Sequence, residues 1–201
     1  MKEWGIEILS GTFAIIAAII MTVGSAYFAK RKKKSCAVSQ DISQSANIYK
    51  AINYLMDNVE SDRAYILQFH NGGYYYSGRS QQKFSCTHEV VGRGISAENI
   101  NSQDYRISNY YKYIQKLTTD ELYIINDVEK DISDPTFSSL LKSKGVKSII
   151  NVPIKTLNGK IIGILGVDYV KEKLSNKDEN RINSVKNILK KQSQIIAGYL
   201  V

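Results

Sequence analysis

The chain has 201 residues and a formal net charge of +8 at pH 7, from 27 lysines and arginines against 19 acidic residues. Five of the positive charges lie in residues 30–34, which leaves only +3 for the rest of the chain. This distribution argues against a nucleic-acid-binding protein, because such proteins need a broad basic surface and not one short basic run.

Residues 8–29 contain no charged side chain and consist mostly of Ile, Ala, Leu, Phe, Met and Val. As a helix rising about 1.5 Å per residue, this run would be about 33 Å long, enough for a hydrocarbon core of about 30 Å. The basic residues 30–34 follow it, and basic segments favour the cytoplasmic side. The sequence therefore predicts a single-pass anchor in the cell membrane lipid bilayer, with the N-terminus outside and the domain in the cytoplasm. A cleaved signal peptide is the alternative, but there the charge precedes the apolar run.

Removing residues 1–34 leaves about 165 residues, which is the size of one ordinary domain. We divide the chain into an anchor with its basic stop (1–34), a juxtamembrane helix (35–60) and a domain (61–201). The two cysteines, Cys36 and Cys86, imply no disulfide framework, because thiols on the cytoplasmic side stay reduced.

The juxtamembrane segment, residues 39–60, carries apolar side chains every three or four positions. These are Ile42, Ala46, Tyr49, Ile52, Met56 and Val59. Residues so spaced line one face of a helix. We expect this face to pack against the domain itself or against a second copy of the chain.

Two strands follow, at residues 63–70 and 83–91, and Asn71-Gly72-Gly73 provides a turn signal between them. Alternation in the second strand predicts that Phe84, Cys86, His88 and Val90 share one face. A helical patch is predicted at 104–117, a third strand at 122–127, and a helix over 136–143 that starts at Asp134-Pro135 and ends at Gly145.

The clearest pattern is a pair of apolar strands, residues 148–155 and 161–169, joined by Asn158-Gly159. Asn-Gly between apolar runs is a strong hairpin signal. Residues 176–200 then predict a long amphipathic helix. Together these elements predict an α+β domain, in which a mainly antiparallel sheet is covered by the N- and C-terminal helices.

The hairpin also carries a family resemblance. Residues 144–154 read KGVKSIINVPI and residues 161–168 read IIGILGVD. This run resembles the corresponding hairpin of GAF domains, a small sensory fold of cyclic-nucleotide phosphodiesterases, phytochromes and bacterial signalling proteins. The resemblance covers residues 45–200, and the related PAS architecture is the alternative. Neither a bilin-attachment site nor the Asn-Lys-Phe-Asp-Glu signature of cyclic-nucleotide-binding members is present, so the resemblance identifies no cofactor and no ligand.

The resemblance implies a small-ligand site between the sheet and the loops that cover it. The candidate lining residues are Phe69, His70, Tyr76, Phe84, Cys86, His88, Asp127, Phe137 and Ile150. For the apolar members, ordinary core packing is the alternative.

Within this set, His70, Cys86 and His88 could form a thiolate nucleophile or a zinc site. The alternative is a buried thiol near two hydrogen-bonded imidazoles. One branch of the GAF family reduces free methionine sulfoxide, but it uses several cysteines and this domain has one. The Asn71-Gly72-Gly73 turn also lacks the lysine and hydroxyl of a P-loop. We therefore expect no catalytic residues and no metal.

These observations predict a membrane-anchored, cytoplasmic GAF-like sensory or interaction module that binds a small molecule or a protein partner without catalysis. Apolar stripes on the juxtamembrane and C-terminal helices favour a homodimer. The alternatives are a thiol-based enzyme that resembles free methionine sulfoxide reductase, and a ligand-free membrane scaffold.

Overall fold

A computed structural model describes residues 16–24, 37–131, 133–174 and 179–201. The chain divides into two units, Met1–Asp41 and Ile42–Val201. In the first unit residues 16–24 are helical, and their large apolar side chains Ile16, Ile19, Ile20, Met21 and Val23 are exposed. Among the described residues, no helix has the length and apolar character needed to span a bilayer. The predicted span, residues 8–29, extends beyond the described residues at both ends.

The domain contains a six-stranded sheet in the order β3-β2-β1-β6-β5-β4, and every neighbouring pair is antiparallel. In chain order the elements are α1 Ala37–Val59, β1 Arg63–Tyr74, β2 Ser80–Val91, β3 Tyr105–Arg106, a 3₁₀ turn Ile107–Tyr110, α2 Tyr111–Asp120, β4 Tyr123–Ile125, α3 Pro135–Ser143, β5 Ser148–Lys155, β6 Ile161–Tyr169 and α4 Glu179–Leu200. The predicted α+β class and the mainly antiparallel sheet are confirmed.

Local sequence accounts for the best-predicted elements. The β5–β6 hairpin has the predicted bounds, and Gly159 at its turn has a positive φ of 80°, which glycine adopts without strain. Helix α3 begins as predicted, because the Asp134 carboxylate accepts a hydrogen bond from the Phe137 backbone N–H at 3.2 Å and Pro135 is the first helical residue.

The sheet separates two apolar clusters. On one face, α1 and α4 pack against side chains that include Ile66, Ile150 and Val167. On the other face, α2 and α3 pack against side chains that include Leu67, Phe84 and Ile164. The terminal helices therefore cover one face, as the sequence predicts, and α2 and α3 cover the other.

Three features of the sheet differ from the predictions. Asn71-Gly72-Gly73, predicted as a turn, lies within β1, and the chain turns at residues 75–79. The helical patch predicted at residues 104–117 begins with β3, which pairs with β2 and is too short to show a periodicity. Strand β2 also has a bulge: Ile66 pairs with His88 and Leu67 pairs with Cys86, so Thr87 has no partner in β1. An extra residue reverses the alternation of side chains beyond it.

Candidate functional site

A cavity of about 40 Å³ lies on the face of the sheet opposite α1 and α4. Its walls come from the sheet, from α2 and α3, and from the loop between β2 and β3. The lining residues are Tyr65, Leu67, Phe84, Cys86, Glu89, Glu98, Ser102, Tyr105, Tyr113, Phe137, Leu140, Leu141, Lys144, Asn151 and Asp168. This volume holds a few water molecules and is far below the roughly 300 Å³ of common small-molecule sites.

Three of the predicted ligand residues, Phe84, Cys86 and Phe137, line the cavity. Phe69 packs edge-on against Phe84 but does not line the cavity. Tyr76 is fully exposed near the β1–β2 turn.

Ile150, Asp127 and the two histidines lie elsewhere. Ile150 faces α1 and α4, because its neighbour Asn151 points to the cavity and strand side chains alternate. Asp127 follows β4 and pairs with Lys173 at 2.7 Å beside a separate, open cavity of about 330 Å³. His70 contacts the Ser85 hydroxyl at 2.8 Å.

The predicted grouping of His70, Cys86 and His88 is wrong. The bulge at Thr87 places His88 on the α1 face, where its ring lies edge-on to Tyr49 with centroids 5.2 Å apart, while Cys86 faces the cavity. Among the described residues, no group of three or more His, Cys, Asp or Glu side chains could hold a metal ion. Burial and the nearby Glu89 charge raise the pKa of Cys86 to about 12, so the thiol is protonated at neutral pH.

Aromatic side chains fill most of the space beside the cavity. The Phe137 ring stacks on Tyr113 with centroids 4.0 Å apart and an interplanar angle of 12°. Tyr123 meets both rings edge-on, and Tyr110 meets Phe137 and Phe84 edge-on. These contacts are favourable aromatic geometries. A large ligand could enter only if this cluster moved.

One end of the cavity is polar and charged. Arg63 is 1% exposed; its Nε lies 3.4 Å from Asp168 Oδ2, and its guanidinium donates to the Lys144 carbonyl at 2.8 Å. Asp168 is 4% exposed, and its Oδ1 has no hydrogen-bond partner among the described residues. Burial raises the pKa of Asp168 to about 6, although the Arg63 charge opposes this shift.

A hydrogen-bond chain crosses the same end of the cavity. The Tyr65 hydroxyl donates to Asn151 Oδ1 at 3.1 Å, and Asn151 Nδ2 donates to the Tyr113 hydroxyl at 2.7 Å. Tyr65 also interacts with Asp168, but its hydroxyl has one proton, and the contact that meets the distance and angle limits of a hydrogen bond is the one to Asn151. A side chain at Gly166 would collide with Asn151 and the Tyr65 ring, which accounts for glycine there.

The loop of residues 92–104 closes this end of the cavity through contacts with its walls. Glu89 Oε2 accepts from the backbone N–H groups of Glu98 and Asn99 at 2.8 and 2.9 Å. Lys144 Nζ donates to the Ser102 hydroxyl at 2.5 Å. The charged groups at the cavity therefore also fix the loop.

The raised pKa of Asp168 predicts a pH dependence of stability. The folded pKa of about 6 exceeds the usual 3.8, so the protonated form stabilises the folded state below about pH 4, and this contribution is lost as the pH rises through 6. Between pH 4 and pH 7, the free energy of unfolding of the wild-type chain should fall by about 2–3 kcal/mol relative to that of Asp168→Asn. Urea unfolding of both proteins at several pH values measures this difference. If the free energies of unfolding of the two proteins changed equally with pH, the raised pKa of Asp168 would be contradicted.

Several residues of the site were not predicted from the sequence, among them the lining residues Tyr65, Tyr113, Asn151 and Asp168 and, behind the wall, Arg63. A usable signal existed for two of them. Arg63 and Asp168 are charged residues near the ends of two strands that pair with each other. A sheet covered on both faces buries such side chains, and a buried charge needs a partner of opposite charge.

Known proteins give independent information. The family model for the GAF domain matches residues 46–185, well over half of the chain. No curated protein matches the chain by sequence.

The fold resembles solved GAF structures. The GAF domain of PixJ from Thermosynechococcus elongatus, in its blue-light-absorbing form, is 13% identical with a TM-score of 0.61, over 81% of this chain and 90% of that chain. GAF3 of Slr1393 from Synechocystis sp. is 11% identical with a TM-score of 0.57, over 77% and 94%. A GAF domain/HD domain protein from Geobacter sulfurreducens is 10% identical with a TM-score of 0.53, over 79% and 95%. At such identities the structures establish the fold alone, and together with the family match they show that this chain belongs to the GAF domain family.

Proposed function

We propose that this chain is a membrane-anchored, cytoplasmic sensory module that binds a small polar molecule in the cavity beside Asp168, without catalysis of its own. The observation that carries the proposal is a buried carboxylate oxygen that has no hydrogen-bond partner among the described residues and lies at the wall of the small cavity. A buried unpaired acceptor costs free energy, and a bound molecule with a donor group would remove that cost.

Membrane anchoring is supported by the uncharged run of residues 8–29 and by the basic residues 30–34. The exposed apolar side chains of residues 16–24 also favour an apolar environment. We expect the protein to sediment with membranes after alkaline extraction, and a protease added outside intact cells to leave the domain undigested. Recovery in the soluble fraction would contradict the anchor.

A homodimer through the terminal helices is part of the proposal. Ile42 and Tyr49 lie seven residues apart on α1, so they share a helix face, and both are exposed; Ile195 on α4 is also exposed. A second copy could cover these side chains. Chemical crosslinking in detergent that yields only monomers would remove this part.

One observation favours a second candidate, the ligand-free scaffold. The aromatic cluster of Tyr113, Phe137 and Tyr123 fills space that a larger ligand would occupy. The thiol-enzyme alternative has no such support, because Cys86 is protonated at neutral pH and both histidines lie away from it.

Native mass spectrometry of the full chain, released from detergent, separates the sensor from the scaffold. We expect a co-purified small molecule that is absent from Cys86→Val, since the larger side chain fills the cavity. Asp127→Asn, which changes an acid outside the cavity, serves as the control and should retain the molecule. A wild-type protein that never binds a molecule would favour the scaffold.

A further inference from the structure

Resting on the proposed function, the cavity also indicates the class of ligand: we propose that it binds a small ammonium cation, either the ammonium ion itself or a primary amine no larger than methylamine. Asp168 Oδ1 is the starting point, since it is buried at the cavity wall and no described group donates to it. A carboxylate oxygen only accepts hydrogen bonds, so the missing group must be a donor. An anionic ligand would instead be repelled at this oxygen.

The balance of charge at the cavity favours a cationic donor. Three carboxylates, Glu89, Glu98 and Asp168, line the cavity, whereas the cations are Lys144 at the wall and Arg63 behind it. The group therefore carries one excess negative charge when all five are ionised. One monovalent cation would neutralise it, and burial makes such compensation important.

Asp168 Oδ1 is the acceptor left open at this end of the cavity, and Arg63 Nε, 3.4 Å from Asp168 Oδ2, also lacks a hydrogen-bond partner among the described residues. Glu89 accepts from two backbone N–H groups, and Glu98 lies 3.8 Å from the Arg63 guanidinium. Lys144 donates to the Ser102 hydroxyl. Arg63 Nε faces Asp168 Oδ2, the other oxygen of the carboxylate. A ligand donor directed at Asp168 Oδ1 would thus displace none of these contacts.

The walls of the cavity suit an ammonium group. Five aromatic rings line it, those of Tyr65, Phe84, Tyr105, Tyr113 and Phe137. The face of an aromatic ring attracts a cation, most strongly where water is excluded. The Lys144 ammonium already lies 5.4 Å from the centroid of Tyr105, so this environment accommodates one such group.

Size restricts the ligand further. A volume of about 40 Å³ holds a few water-sized groups. Ammonium is close to water in size, and methylammonium adds one methyl group, so both fit. Tetramethylammonium is too large, and it also lacks an N–H group to donate to Asp168.

Thermal unfolding of the full chain in detergent at pH 7.5 tests the proposal. We expect ammonium chloride and methylammonium chloride to raise the Tm with saturation, compared with sodium chloride at the same ionic strength. Tetramethylammonium chloride should behave like sodium chloride. An increase in Tm with ammonium no larger than that with sodium chloride would overturn the proposal. An equal, saturable increase with potassium chloride would also overturn it, because the site would then select a cation by its charge and not by N–H donation.

Three variants locate the effect. Asp168→Asn removes the charge and should weaken ammonium affinity at least tenfold, and Cys86→Val should abolish binding by filling the cavity while keeping every charge. Asp127→Asn should bind as the wild type does. Retention of the full shift in both cavity variants would overturn the proposal even if one of them folded poorly. If native mass spectrometry finds a bound molecule but ammonium has no effect, the ligand class is wrong and the proposed function stands; if neither is seen, both fail.

Discussion

Phe137→Ala is expected to lower the free energy of unfolding by about 3–5 kcal/mol, the usual cost of truncating a buried phenylalanine. Phe137 is 5% exposed and is stacked on Tyr113. Its removal would leave a void beside the existing cavity, because the ring is held on several sides by other aromatic rings that cannot all move inward. Urea unfolding measures the loss.

Two comparisons make this prediction specific. Phe69→Ala removes the same atoms from a half-buried position outside the cavity wall and should cost clearly less. The enlarged apolar space in Phe137→Ala should also bind benzene, as engineered apolar cavities do, so benzene should restore part of the lost stability. Equal losses for the two variants would show that the ring does not support the core as described.

Arg63→Met is expected to cost about 3–5 kcal/mol, because it removes the cation that faces a buried carboxylate. The Asp168 carboxylate would then be unpaired at 4% exposure. The substitution also removes the bond to the Lys144 carbonyl and a longer one, 3.4 Å, to the Ser96 carbonyl in the covering loop. We therefore expect faster amide hydrogen exchange in residues 92–104 as well as a lower unfolding midpoint.

The control for this variant is Arg181→Met, the same substitution in a surface ion pair with Glu60. Surface pairs contribute about 0–1 kcal/mol, so this change should be small. The double variant Arg63→Met/Asp168→Leu should recover much of the loss, since no charge then remains buried without a partner. A double variant as unstable as the single one would show that the cost comes from lost packing.

The sequence was most informative where neighbouring residues determine the local geometry. Asn158-Gly159 identified the β5–β6 hairpin, and Asp134-Pro135 identified the start of α3, because a turn and a helix cap depend on neighbouring residues alone. Strand β3 was missed for the opposite reason. Two residues have no periodicity, and their pairing with Lys83 and Phe84 depends on residues more than 20 positions away.

The site was predicted less well than the fold, because it also depends on residues that are distant in the chain. Three of the predicted ligand residues, Phe84, Cys86 and Phe137, line the cavity, and each lies in a regular helix or strand. The buried pair of Arg63 and Asp168 joins two strands that are distant in sequence but adjacent in the sheet. Such a pairing follows from strand order, which local patterns do not determine.

Thr87, the bulged residue of β2, decides which side chains share the cavity wall. A regular pairing that kept Thr87 in the ladder would place Cys86 and His88 on the same face, because strand side chains two residues apart share a face. The bulge therefore keeps the His88 imidazole away from the Cys86 thiol, which lines the cavity.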